Sequence, residues 1–214
     1  NPLHVDLWGI FVSTPSVTSE KATVAVDVTL VNHTAENKEF TFKIEFKDPV
    51  GKTIPGMTDD KKLEAGKKFT FKQEFAFPEY RLWSVENPEL YTVTVQLLDG
   101  KKVIDEVTQN FGIRTTEFSA EKGFLLNGES VELKGGCLHH DNGALGSATF
   151  QTAEYRRVKI MKENGFNAIR TSHNPPSETF LDACDKLGML VMDESFDQWQ
   201  LPKNPQDYNL YFDE

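Results

Sequence analysis

Residues 167–194, NAIRTSHNPPSETFLDACDKLGMLVMDE, decide the fold. Residues 166–170 form a short apolar run that breaks into Arg170, Thr171, Ser172, His173 and Asn174, where Pro175 and Pro176 stop the strand. Ser177 is placed to cap a helix whose apolar residues Phe180, Leu181, Cys184 and Leu187 recur at i, i+3/i+4, and Gly188 closes it. Residues 189–192 make a second apolar run ending in Asp193 and Glu194. Apolar strands separated by a helix predict a parallel sheet covered on both faces. Polar residues gathered at the C-terminal ends of such strands are the pattern of a barrel enzyme.

Working back along the chain, the same grammar extends to about residue 118. A helix is expected with Thr152 as its cap, Tyr155, Val158 and Met161 on one face and Gly165 at its end. A strand over residues 132–139 precedes it and ends in His139, His140 and Asp141. Before that, residues 124–126 and 131–133 read as a small hairpin turning at Asn127-Gly128. The α/β part therefore offers three strands with three polar ends. A complete (β/α)₈ barrel needs eight units and about 250 residues, so residues 118–214 are expected to be only its first three. Three parallel strands alone would leave an exposed edge, so the chain reads as cut from a longer polypeptide or completed by elements elsewhere.

Residues 1–117 have a different period. Ala22, Val24, Val26, Val28 and Leu30 alternate with polar or small residues, as do Phe40, Phe42, Ile44 and Phe46, then Phe69, Phe71, Phe75 and Phe77, then Tyr91, Val93, Val95 and Leu97. Period two marks half-buried antiparallel strands. Turn signals separate them, among them Asp99-Gly100. With residues 5–12 and 103–111 there are six clear strands and a seventh near residues 53–57, which predicts an immunoglobulin-like sandwich. This half has no cysteine, so the phenylalanines must hold the sheets together. The expected architecture is a sandwich over residues 1–117 followed by the start of a TIM barrel over residues 118–214.

Bulk properties narrow the function. The 214 residues carry a formal charge of -10, which argues against nucleic acid or an acidic membrane surface as partner. No run approaches the apolar length of a membrane span. Cys137 and Cys184 are expected as buried free thiols, behaving as small hydrophobes. Asn32-His33-Thr34 matches a glycosylation sequon, a match that arises easily by chance.

Several segments resemble glycoside hydrolase family 2, the β-galactosidase and β-glucuronidase family. Leu82-Trp83-Ser84-Val85-Glu86-Asn87-Pro88-Glu89-Leu90-Tyr91 is similar to that family's LWSxENPxLY, and Phe111-Gly112-Ile113-Arg114 to the FGxR that leaves its sandwich. Leu126-Asn127-Gly128 with Leu133-Lys134-Gly135 resembles the LNGxxxxLKG entry to its barrel. Asn167-Ala168-Ile169-Arg170-Thr171-Ser172-His173-Asn174-Pro175, with Asp185, Gly188 and Asp193-Glu194 at matching distances, resembles a signature that usually reads NxxRxSHYP. The five pieces occur in the family's order and run through nearly the whole chain.

The resemblance implies a retaining exo-β-glycosidase, most of all a β-galactosidase, acting on a β-linked oligosaccharide or glycoside. Such enzymes hold two carboxyls roughly 5–5.5 Å apart, one as nucleophile and one as acid/base. In the family both are glutamates on later barrel strands, so no catalytic residue is expected within residues 1–214, and the chain alone is expected to be inactive until joined to the remaining domains of its parent protein. The resemblance makes His139 and His173 donors to sugar hydroxyls and puts Arg170 beneath the site as an ionic neighbour of the catalytic carboxylates. It makes Asp141, Asp193 and Asp197 secondary candidates for contacts to the sugar or its loops. Some β-galactosidases of the family bind magnesium through a Glu and a His just after the third strand. Here Ser195-Phe196-Asp197-Gln198-Trp199-Gln200 lacks that pair, so neither a metal nor another cofactor is expected.

Other readings stand beside these. His139 and His140 are neighbours on a strand and point to opposite sides, so only one faces the barrel mouth, with His140 packed behind it. Arg170 is equally readable as a structural ion-pair partner. Asp193 and Glu194 diverge and cannot together flank one glycosidic bond. Trp199 is either a sugar platform or a plug under a loop. A metal-dependent barrel hydrolase using His139, His140, His173 and Asp193 lacks the spaced His-x-His that puts two imidazoles on one face. A sandwich module that binds glycan or another domain without catalysis is the remaining alternative.

Overall fold

The computed structural model describes residues 1–195, in two compact units that divide between Val131 and Glu132. Asp197 and Trp199 lie outside the described residues.

The first unit contains seven long strands: β1 (Leu3–Val17), β2 (Ala22–Asn32), β3 (Lys38–Lys47), β4 (Thr53–Leu63), β5 (Lys68–Phe77), β6 (Tyr91–Asp99) and β7 (Lys102–Phe111). They form two antiparallel sheets, ordered β1-β2-β5 and β4-β3-β6-β7. The alternation read from the sequence is the burial pattern. Val24, Val26, Val28 and Leu30 on β2 and Val93, Val95 and Leu97 on β6 are fully buried, with half-exposed residues between them. Residues 53–57 are the start of a full strand, β4, which pairs with β3 along its length.

An aromatic seam joins the sheets. Phe46 of β3 meets Phe75 and Phe77 of β5 edge-to-face, with ring centroids 4.8 and 5.2 Å apart, and Phe42 lies 5.5 Å from Phe71. Phe77 in turn meets Tyr91 and Phe111. Edge-to-face pairs set positive ring edges against negative ring faces, adding to the apolar burial. Asn32 is fully buried and its amide donates to the carbonyls of Glu36, Leu63 and Glu64. The sequon asparagine is thus a structural staple whose nitrogen is occupied.

Three of the quoted segments converge at one end of this unit. Trp83 is buried, Arg114 lies over its ring at 4.9 Å, and Asn127 donates from Nδ2 to the Trp83 carbonyl. A Cβ on Gly112 would come within 2.7 Å of the Trp83 side chain, so only glycine permits the approach. A small sheet follows, β8 (Thr116–Ser119), β9 (Gly123–Leu126) and β10 (Glu129–Ser130). The hairpin at Asn127-Gly128 is tighter than expected. Both turn residues have positive φ, 55° and 82°, so the return strand pairs at once through Glu129 and Ser130, and Val131 adds one further bond from its N–H to the Phe124 carbonyl.

The second unit is α/β. Strands β11 (Gly135–His139), β12 (Ala168–Ser172) and β13 (Leu190–Met192) are parallel and adjacent in that order, with α1 (Gln151–Glu163) and α2 (Glu178–Leu187) between them in sequence. Val158, Ile169, Phe180, Ala183, Cys184 and Met189 form the core between sheet and helices. Ser177 caps α2 as expected, its Oγ accepting from the Phe180 N–H at 3.2 Å, and Gly188 ends it in the left-handed conformation at φ 68°. Helix α1 departs from the expectation. Phe150 rather than Thr152 occupies the cap position, and Glu154 and Val158 are buried while Tyr155 is exposed.

Asn167 stitches the entry to this sheet. Its side chain accepts from the Lys134 N–H and donates to the Glu132 carbonyl, while its backbone N–H donates to the Lys134 carbonyl. A Cβ on Gly135 would lie 2.6 Å from the Ala168 carbonyl oxygen, which explains the glycine there.

Candidate functional site at the strand ends

Alternation along β12 sends Ile169 into the helix-covered core and Arg170 to the opposite face. There Arg170 pairs in register with Cys137 on one side and Met192 on the other. Glu194, two residues beyond Met192, shares that face. Arg170 donates from Nε to Glu194 Oε1 at 2.8 Å and its Nη2 lies 2.6 Å from the same oxygen. The other carboxylate oxygen, Oε2, is 3.1 Å from His173 Nδ1. His139 closes the group, its ring centroid 5.4 Å from that of His173 and nearly perpendicular to it.

This arrangement has electrostatic consequences. The Arg170 guanidinium, and after it His173, hold the Glu194 carboxyl below the usual glutamate range. An ionised carboxylate only accepts hydrogen bonds, so His173 carries its hydrogen on Nδ1, and any hydrogen bond it makes to a sugar goes through Nε2. Thr171 fixes the two neighbouring acids apart. Its hydroxyl accepts from the Glu194 N–H at 3.2 Å and lies 3.1 Å from Asp193 Oδ1, to which it donates.

Of the residues singled out by sequence, the structure brings Arg170, His173 and His139 together. Asp193 turns to Thr171, away from Glu194. Asp141 lies on the loop after β11, where its Oδ1 accepts from the Gly143 N–H at 2.8 Å. His140 is half-buried with Nε2 3.0 Å from the Ser147 carbonyl, so the two adjacent histidines do separate. With His140 and Asp193 engaged elsewhere, the four donors of a metal-dependent hydrolase do not converge. Among the described residues no group of three or more His, Cys, Asp and Glu side chains is placed to hold a metal ion.

Sequence reasoning missed two participants. Glu194 is the shared partner of Arg170 and His173. It lies just past the end of β13, and its place is set by its bonds to Arg170 and His173, which no sequence pattern records. Cys137, expected to be buried, is exposed, with Arg170 Nη1 3.4 Å from its sulfur. Ser172 Oγ is buried without a well-formed hydrogen bond of its own. It lies close enough to the Cys137 sulfur to be the first cause, before Arg170, of a thiol pKa below the ordinary value. Cys184 is buried as expected, and burial pushes its thiol pKa up.

Comparison with known proteins gives this geometry its context. Residues 4–114 match the description of glycosyl hydrolases family 2, and residues 119–203 match that family's TIM barrel domain. A β-galactosidase of Bacteroides ovatus is 39% identical over 213 residues, covering 100% of this chain and 25% of that protein. A putative β-glucuronidase of Formosa agariphila is 40% identical over 215 residues, covering 100% of this chain and 20% of its own length. A solved family 2 member from Bacteroides cellulosilyticus superposes with a TM-score of 0.91 at 45% identity, over 100% of this chain and 28% of that one. A Bacteroides uniformis β-glucuronidase, solved covalently bound to cyclophellitol-6-carboxylate aziridine, superposes at 0.86 with 31% identity, over 95% of this chain and 25% of that one. The chain thus spans about a quarter of the length of these relatives. By the two family matches, which between them run through most of its residues, the chain belongs to glycosyl hydrolase family 2.

Proposed function

We propose that this chain is the sugar-gripping part of a retaining exo-β-glycosidase, with a terminal β-galactoside as the substrate. The three parallel strands are the first three units of its (β/α)₈ barrel, and the acid/base and nucleophile glutamates are supplied by later strands. The observation that carries the reading is the continuous chain Arg170–Glu194–His173 with His139 beside it, at the C-terminal ends of adjacent parallel strands. In barrel enzymes that end is where substrate is held.

Each residue has a task in this account. His173, fixed by Glu194, meets a sugar hydroxyl through Nε2, accepting when the ring is neutral and donating when it is protonated. His139 offers a second imidazole from the neighbouring strand. Arg170, held by Glu194, adds fixed positive charge beneath the sugar, where it favours ionised carboxylates nearby. Asp141 and Asp193 act on the loops around the sugar. No step here draws on a metal or other cofactor. The covalent inhibitor adduct of the B. uniformis relative supports a double-displacement route, since such an adduct needs an enzyme nucleophile.

β-Glucuronidase is the second reading, favoured by the F. agariphila and B. uniformis relatives. A panel of p-nitrophenyl β-D-galactoside, β-D-glucuronide and β-D-mannoside, offered to a polypeptide that extends this chain through the rest of the barrel, decides between them. The proposal expects the galactoside to have the highest kcat/KM. A preference of tenfold or more for the glucuronide would replace the substrate while keeping the reaction class.

A further inference from the structure

Glu154 is the buried acid that the strand-end group does not use. It sits in the first turn of α1 and is 1% exposed. A buried carboxylate is costly unless its oxygens are engaged, and both of these are. Asn142 donates from Nδ2 to Oε1 at 2.9 Å, and Arg157 Nη1 lies 3.3 Å from Oε2. The same Arg157 Nη1 donates to Asn142 Oδ1 at 2.9 Å, so the three side chains close a ring.

Two sets of bonds leave that ring. Arg157 donates from Nη2 to the carbonyl of His139 at 2.9 Å. Asn142 Nδ2 donates to the Ala148 carbonyl at 3.0 Å, and its backbone N–H donates to the Gly146 carbonyl at 2.8 Å. The ring therefore ties α1 both to the last residue of β11 and to the loop of residues 140–148. Its chemistry explains the residue types. The asparagine amide presents two N–H donors, to the carboxylate and to the Ala148 carbonyl, and an oxygen that accepts from the guanidinium, more than a single hydroxyl could serve. Arginine, with a rigid planar fork, reaches Asn142 and the His139 carbonyl through different nitrogens.

We propose that Asn142, Glu154 and Arg157 form a positioning clamp that fixes His139 and the loop behind it, and thereby sets how tightly the sugar is held. The proposal rests on the reading of His139 as a sugar contact. In this proposal the clamp residues act through the backbone of His139 and of the loop of residues 140–148. Without the fork the His139 carbonyl keeps only the Asp141 N–H, a bond within its own loop, and loses its tie to α1. The imidazole then wanders, and the fit to the sugar loosens before the chemical step is affected.

The test uses the polypeptide extended through the whole barrel, with p-nitrophenyl β-D-galactoside or whichever nitrophenyl glycoside it turns over best. The variants are Arg157→Lys, which keeps the charge but loses the fork, Asn142→Ala, and His139→Ala as reference. The clamp predicts that Arg157→Lys raises KM about tenfold, the scale of one lost hydrogen bond, with kcat within about threefold. Asn142→Ala should move KM in the same direction. A purely structural role gives a different signature, because a partly unfolded sample lowers apparent kcat at unchanged KM. If His139→Ala raises KM while Arg157→Lys and Asn142→Ala keep the parental KM, the clamp is refuted and the sugar contact survives. If His139→Ala is itself silent, the reading of His139 fails and the clamp with it.

Discussion

Phe46→Ala measures whether the aromatic seam replaces the disulfide that this sandwich lacks. Phe46 is fully buried and meets Phe75, Phe77 and Phe111 edge-to-face at 4.8, 5.2 and 6.1 Å. Removing the ring withdraws roughly 150 Å² of buried apolar surface, which at about 25 cal/mol per Å² is roughly 4 kcal/mol. Lost edge-to-face pairing adds to this and partial collapse of the cavity subtracts, leaving a value inside the range of about 3–5 kcal/mol for buried Phe→Ala changes. At about 4 °C or more per kcal/mol, the sandwich should melt about 15 °C lower. The assay is urea unfolding for the free energy and thermal unfolding for the midpoint, both followed by circular dichroism, with Phe69→Ala as the comparison. Phe69 lies on β5 as well but is 53% exposed, and its loss should cost about 1 kcal/mol. If Phe46→Ala costs no more than Phe69→Ala, the seam does not hold the sheets and the argument from alternating phenylalanines is wrong.

Other predictions concern the α/β unit. Gly135→Ala should destabilise it by about 1–3 kcal/mol, because the added Cβ meets the fixed carbonyl of Ala168, and faster hydrogen exchange at residues 168–172 should reveal it. Glu194 should titrate below the ordinary glutamate value in a carbon-13 NMR experiment, and the Arg170→Met change should raise its midpoint. Because the folded-state value is depressed, the stability this pair contributes is complete above the ordinary glutamate range. It disappears as the pH falls through the lower folded value. Of the two thiols, Cys137 should react fast with a chromogenic disulfide reagent and Cys184 only on unfolding. Cys137→Ser should abolish the fast phase.

The sequence carried the fold wherever a periodic pattern met a buried face. Val24 to Leu30 and Phe40 to Phe46 announced their strands because every second side chain is buried, and Ser177 and Gly188 announced the ends of α2 because caps have side-chain chemistry of their own. Helix α1 was harder to read at its start. Phe150 takes the cap position without a side-chain bond, and the inward face carries a charged residue, Glu154, where an apolar one was sought. The site was half legible. Arg170, His173 and His139 stand out as polar residues ending apolar strands. Glu194 did not, because its pairing with Arg170 depends on the offset between β12 and β13. Cys137 was assigned the behaviour of a core hydrophobe, yet it is the register partner of Arg170 and so shares the polar face. The ring of Asn142, Glu154 and Arg157 joins a loop to a helix, and no local pattern records such a contact.

The most direct test of the central claim is release of nitrophenol from p-nitrophenyl β-D-galactoside, by residues 1–214 alone and by a polypeptide extended through the rest of the barrel. The account predicts no turnover from residues 1–214, turnover from the extended polypeptide, and a large loss of kcat/KM when His173 in the latter is replaced by alanine. Turnover by residues 1–214 alone, abolished by Glu194→Gln, would contradict it, because the catalytic carboxyls would then lie at the strand ends described here.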